Sequence, residues 1–132
     1  MSRLVIDSSA LVAIALFEPD RAHHVERIEQ AQEILISPMN YVELGLVLVA
    51  RGHFSSRAAM DAWLQAYRVR IAQEPVIAEA ALDAYLRFGK GRHPAKLNLA
   101  DCFAYALAKA LDAPLLYKGD DFSQTDVRSA LA

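Results

Sequence analysis

A chain of 132 residues, 55% of them hydrophobic, has the length of one globular domain and can bury a core without disulfides or structural metal. Its one cysteine, Cys102, excludes a disulfide framework and a thiolate metal cage, and fits a reducing cytoplasm. A net charge of −2 excludes a globally basic surface, so any nucleic-acid site must be a local basic patch, with room beside it for acids that a metal neutralises.

The apolar opening is interrupted by Asp7 and two serines and has no small-residue cleavage site after it, so a secretion signal is not expected. No other run approaches the roughly 20 apolar residues that span a bilayer, and the chain reads as soluble, without a membrane partner.

Leu4-Val5-Ile6 is a short β-type run that stops at Asp7, and the serines that follow can cap a helix running through Ala10 to Phe17. After the break at Glu18-Pro19-Asp20, Ala22, Val25, Ile28 and Ala31 recur at helical spacing, and Ile34-Leu35-Ile36 reads as a second strand. Ser37-Pro38 starts a helix that reaches about Ala50, with Gly52 marking its end. Ser55 and Ser56 precede an amphipathic helix with Ala59, Trp63 and Tyr67 on one side, and Val69-Arg70-Ile71 is a weak strand candidate. Trp63 and Tyr67 suit core or dimer packing better than base stacking.

From Pro75 to about Phe88 the pattern is helical again, and Gly89-Lys90-Gly91-Arg92-His93-Pro94 is a basic loop. Asn98 caps an alanine-rich helix from Leu99 to about Leu111, with Asp101 in its first turn. Leu115-Leu116-Tyr117 is a last strand, running into the polar turn Lys118-Gly119-Asp120-Asp121. Short apolar strands alternating with helices predict one α/β domain over 1–132, a short parallel sheet flanked by helices.

In an open parallel sheet, ligands collect beyond the carboxyl ends of the strands. Asp7 and the Asp120-Asp121 pair follow directly on predicted strands, while Glu43 and Asp101 sit in the early turns of helices that start at the same edge. Gathered carboxylates repel one another unless a cation compensates, and Mg²⁺ or Mn²⁺, which takes oxygen ligands and keeps waters, suits a phosphodiester substrate. Each residue also has a plainer reading. Asp7 could be a helix cap, Glu43 a half-buried acid paired with an arginine, Asp101 a favourable first-turn charge, and Asp120-Asp121 turn chemistry.

Taken together, Val-Ile-Asp7-Ser-Ser9-Ala-Leu, Ser37-Pro-x-x-Tyr-Val-Glu43-Leu, Leu97-Asn98-x-x-Asp101-Cys-x-x-Tyr-Ala-Leu-Ala and Leu115-Leu-Tyr-Lys-Gly-Asp120-Asp121-Phe resemble the ordered motifs of PIN-domain ribonucleases. The resemblance spans almost the whole chain and is nearest to the VapC toxins of bacterial toxin–antitoxin pairs, in the Gly89 to His93 loop and the Thr125-Asp126 ending as well. It implies a single PIN-like domain with metal-dependent endoribonuclease activity. It further implies Asp7 and Asp101 as main metal ligands, Glu43 ligating through water or orienting the attacking water, and Ser9 supporting Asp7 and the metal's waters.

The family often carries its last carboxylate where this chain has Gly119, so Asp120 or Asp121 takes that role. A homodimer and a VapB-type antitoxin, whose C-terminal tail would fill the acidic groove, are implied too. Lys90, Arg92, His93, Lys96 and Lys118 are the candidates for RNA phosphates, against the alternative of a solvated loop.

Three rival readings are weaker. A receiver domain needs a pair of acids after its first strand, and a haloacid-dehalogenase-like phosphatase needs an Asp where Ser9 stands. A catalytically dead PIN-like binding module would not need the full set of acids, all of which are present.

Overall fold

Leu4, Val5 and Ile6 have no exposed surface, which requires a strand covered on both faces. In the computed structural model, which describes residues 2–74 and 78–131, that strand is β1 (Arg3–Ile6). β2 (Glu33–Ile36), β3 (Val69–Ile71) and β4 (Leu115–Leu116) complete a four-stranded sheet of order β3-β2-β1-β4, all of whose pairings are parallel.

The side-chain period of two sorts these strands into two cores. Leu4, Ile6, Ile34, Ile36, Val69 and Leu116 join one apolar cluster, where they meet α1 (Ser8–Ala15), α2 (Arg21–Gln30), α3 (Pro38–Leu48) and α4 (Arg57–Ala66). Val5, Leu35 and Leu115 join the other, against α5 (Ala78–Phe88) and α6 (Leu99–Ala110). The predicted α/β layering is therefore present, and Trp63 and Tyr67 pack on the first core, ring centroids 5.3 Å apart.

The strand order decides where a ligand sits. The chain runs outward from β1 to β2 to β3, then returns to lay β4 on the opposite side of β1. The switch point lies between β1 and β4, and the crevice beyond their carboxyl ends is the expected binding place. A receiver would show the order 2-1-3-4-5 instead, so that alternative is excluded.

Some boundaries differ from the sequence reading. Asp7, not a serine, is the N-cap of α1, and its carboxylate accepts the Ser9 backbone N–H. The same helix ends at Ala15, because Phe17 takes a left-handed φ of 54° and turns its ring outward. β4 stops at Leu116 rather than Tyr117. The expected helix start at Pro75 falls on residues 75–77, which lie outside the described residues.

Candidate active site

The first motif is held by the switch point itself. The Asp7 backbone N–H donates to the Leu116 carbonyl at 2.9 Å, so Asp7 leaves β1 while still paired with β4. Its carboxylate is 3% exposed and doubly anchored: Oδ2 accepts the Ser9 N–H at 3.0 Å, and Oδ1 accepts Asn40 Nδ2 at 3.1 Å. Asn40 is fully buried and is itself fixed by Ser37, the N-cap of α3, whose hydroxyl donates to Asn40 Oδ1.

One turn further along α3, Glu43 accepts the hydroxyl proton of Ser8. Asp101 is held by a reciprocal capping box at the start of α6: Asn98 Oδ1 accepts the Asp101 N–H at 2.8 Å, and Asp101 Oδ2 accepts the Asn98 N–H at 3.0 Å. At Asp101 the cap does not preclude a place on the cleft, since the capping box fixes a carboxyl that also lines it.

These side chains line one open cleft of about 460 Å³, shared by Asp7, Ser9, Glu43, Asp101, Asp121 and Lys118. Asp121 is the acid of the last motif that reaches it; Asp120 is exposed, does not line the cleft, and lends its carbonyl to Ser123. Gly119 adopts φ 96°, a conformation in which an Asp would be strained, so a carboxylate at that position would cost backbone energy here. A larger hollow at the amino ends of the strands, lined by Ser2, Arg27, Gln30 and Arg128, includes no acid.

The electrostatics report crowding of negative charge. Burial pushes the Asp7 carboxyl up to about 6 despite its hydrogen bonds, with Glu43 adding repulsion. Burial likewise pushes Asp101 up to about 7, with Asp7, Glu43 and Asp121 repelling its charge. The cation lining the cleft, Lys118, is already shared by Glu18 and Asp20.

This donor set, all oxygen and short of positive charge, fits a hard divalent cation. No three His, Cys, Asp or Glu side chains among the described residues close around one point. Mg²⁺ or Mn²⁺ takes one or two carboxylates and retains waters, so neither requires a closed cage of side chains.

The basic loop does not join the cleft. Arg92 Nε donates to the Leu86 carbonyl, His93 Nδ1 accepts the Ala95 N–H while its ring meets Phe88 edge-on, and Lys90 and Lys96 are exposed. Only Lys118 of the five basic candidates lines the site. Three supporting residues escaped the sequence reading: Ser8, Asn40 and Glu18. Asn40 lies three residues before Glu43 on one helix face, and that spacing was the available signal.

A family model described as PIN domain matches residues 4–128. The chain belongs to the PIN-domain family. This PIN domain is 43% identical over 125 residues to Ribonuclease VapC30 of Mycobacterium tuberculosis, covering 94% of this chain and 95% of that one. It is 42% identical over 125 residues to a Ribonuclease VapC of Mycolicibacterium smegmatis, covering 94% and 97%.

Ribonuclease VapC42 of M. tuberculosis is 37% identical over 129 residues, with 96% and 98% covered. Two crystal structures share the PIN fold. M. tuberculosis VapC20, described as a Sarcin-Ricin loop cleaving toxin, superposes with a TM-score of 0.66 at 18% identity, covering 95% of this chain and 98% of that one. PAE2754 from Pyrobaculum aerophilum gives 0.65 at 17% identity, covering 96% and 87%.

Proposed function

We propose that this PIN domain is a VapC-type endoribonuclease, using Mg²⁺ or Mn²⁺ to hydrolyse RNA phosphodiester bonds as the toxin of a type II toxin–antitoxin pair. One observation carries the reading: acids from four distant points of the chain, Asp7, Glu43, Asp101 and Asp121, line a single cleft at the topological switch point.

Asp7 and Asp101 would hold the cation, Asp7 fixed in direction by Asn40 and Ser9, and Asp101 by its capping box. A divalent cation bound there supplies Lewis acidity at the scissile phosphate and lowers the pKa of a coordinated water. Glu43, its carboxylate oriented by the Ser8 hydroxyl, would ligate the cation through water or orient the attacking water. Ser9 Oγ accepts the Lys118 backbone N–H at 3.0 Å, which ties the first turn of α1 to the segment carrying Asp121. Lys118 at the rim offers a cation to a substrate phosphate, while Lys90, Arg92, His93 and Lys96, which do not line the cleft, would meet RNA phosphates outside it.

A homodimer and a VapB-type antitoxin complete the proposal. The antitoxin's tail would compete with the cation and RNA for the acidic cleft, and the exposed Val42 and Leu46 of α3 offer an apolar surface for its helix. Sedimentation of the purified chain tests the dimer, and co-purification with the product of an adjacent small gene tests the antitoxin.

The activity is tested by incubating total cellular RNA with the purified protein and Mg²⁺ or Mn²⁺, beside Asp7→Asn, Asp101→Asn and an EDTA control. Discrete fragments from the wild type alone support the reading. Cleavage that survives EDTA or both substitutions removes it.

A further inference from the structure

Lys118 is exposed and carries its charge on a four-carbon stem, a side chain that in solution samples many rotamers. Here it is pinned. Its ammonium donates to Glu18 Oε1 at 3.0 Å and to Asp20 Oδ1 at 3.2 Å, which leaves one of three donors for a ligand in the cleft that Lys118 and Glu18 both line.

The pin continues inward. The second oxygen of Asp20, Oδ2, meets His24 Nε2 at 2.9 Å, and His24 is 1% exposed inside α2. Although partial burial pulls the other way, hydrogen bonds from His24 and Lys118 hold Asp20 below the usual carboxylate range. Asp20 is therefore ionised, and its Oδ2 accepts from His24 Nε2. Among the described residues His24 Nδ1 has no hydrogen-bond partner.

Two features separate this arrangement from ordinary helix stabilisation. Asp20 occupies the N-cap position of α2, yet its carboxylate accepts no capping bond from the helix and is committed to His24 and Lys118. His24, in turn, leaves a polar atom buried without a partner, a destabilising choice where an apolar ring of similar size would not be penalised.

We propose that His24 is a positioning residue for RNA binding: through Asp20 it fixes the Lys118 ammonium at the rim of the acidic cleft, where the remaining donor meets a substrate phosphate. This inference rests on the ribonuclease reading above. The buried ring holds Asp20, and Asp20 with Glu18 sets the ammonium's location before substrate arrives. Ordering the lysine in advance removes an entropy cost from binding.

The test compares wild type, His24→Phe, Lys118→Met and the double variant. The readouts are thermal stability, Mn²⁺ affinity by calorimetry, and binding of a short fluorescein-labelled single-stranded RNA by anisotropy with Ca²⁺ in place of Mg²⁺ across a salt series. Cleavage of total RNA by the wild type with Mn²⁺ runs alongside.

The expected result is that His24→Phe keeps or raises the melting temperature, leaves Mn²⁺ affinity unchanged, and weakens RNA binding about three- to ten-fold. Lys118→Met reduces the salt slope by about 0.7, and the double variant binds no more weakly than Lys118→Met alone. His24→Phe binding RNA like the wild type, or effects of the two substitutions that simply multiply, overturns the proposal even if the wild type cuts RNA. A lower melting temperature with unchanged RNA affinity assigns His24 to structure alone and overturns it as well. Wild type that cuts no RNA removes the ribonuclease reading, and this inference with it.

Discussion

Asn40 and Asp7 face one another inside the protein, Nδ2 to Oδ1 at 3.1 Å, with both side chains essentially closed to solvent. A buried amide aimed at a buried carboxylate fixes the direction of its remaining lone pairs, and partners of metal ligands typically contribute ten- to a hundred-fold in affinity. Asn40→Ala should therefore weaken Mn²⁺ binding about ten-fold, read by calorimetry. An unchanged affinity would show that Ser9 suffices to orient Asp7.

Asp101 titrates near 7, above its unfolded value of 3.8. The folded chain thus binds more protons than the unfolded chain between about pH 4 and 7, and its metal-free stability falls as pH rises through that window. Asp101→Asn keeps an oxygen for the Asn98 N–H and removes the charge. It should raise metal-free stability at pH 8 by on the order of 1–2 kcal/mol, allowing for solvent screening at the open cleft, and change little at pH 4. Denaturant unfolding at the two pH values checks this, and equal curves at pH 8 would refute it.

Protons and metal compete for the same oxygens. With Asp7 near 6 and Asp101 near 7, Mn²⁺ affinity should be full at pH 8 and fall progressively as the pH is lowered through 7 and 6. Calorimetry in buffers of different ionisation enthalpy should detect proton release on binding near pH 6. A pH-independent affinity would mean that neither carboxyl is a ligand.

A Cβ at Gly89 would lie 2.4 Å from the Tyr85 carbonyl oxygen and 2.5 Å from the Tyr85 ring. The carbonyl belongs to the last turn of α5 and cannot yield without breaking the bond it accepts from the Gly89 N–H. Gly89→Ala should cost roughly 2 kcal/mol or more, seen as a lower denaturation midpoint, with the basic loop displaced.

Tyr105 donates its hydroxyl to Asp126 Oδ1 at 2.5 Å and tethers the C-terminal segment to α6. Burial, and then this bond, push the phenol up to about 12, so it remains a donor throughout the physiological range. The same bond, against partial burial, holds Asp126 below its unfolded value, so its contribution is present above about pH 4 and is lost as the pH falls through the folded value. Tyr105→Phe should cost about 1 kcal/mol at pH 7 and flatten the acid limb of the stability profile.

Strand positions, helix starts and the principal acids were legible because each carries a short-range signature. Leu4-Val5-Ile6 is a short β-type apolar run stopped by Asp7, and Asn98 with Asp101 spells a capping box. What stayed hidden depends on pairs far apart in the chain. Nothing local says that Ser8 meets Glu43, that Asn40 meets Asp7, or that Asp20 reaches Lys118. Composition also could not choose between Asp120 and Asp121, since a turn that begins with Gly119 at φ 96° decides which side chain faces the cleft. The basic loop attracted attention through its charge density, yet Arg92 Nε donates to the Leu86 carbonyl of α5 and His93 Nδ1 accepts the Ala95 N–H, and neither residue lines the cleft.

The pairing of Val5 with Leu115 has a kinetic consequence. The central strand waits for a neighbour about 110 positions later in the chain, and contacts of such long sequence separation are slow to close. Until that neighbour arrives, Asp7 has no Leu116 carbonyl to donate to, and Asp121 and Lys118 are not yet in place. Until β4 docks on β1 the acidic cleft is therefore unassembled, so its acids come together only with the longest-range pairing of the sheet.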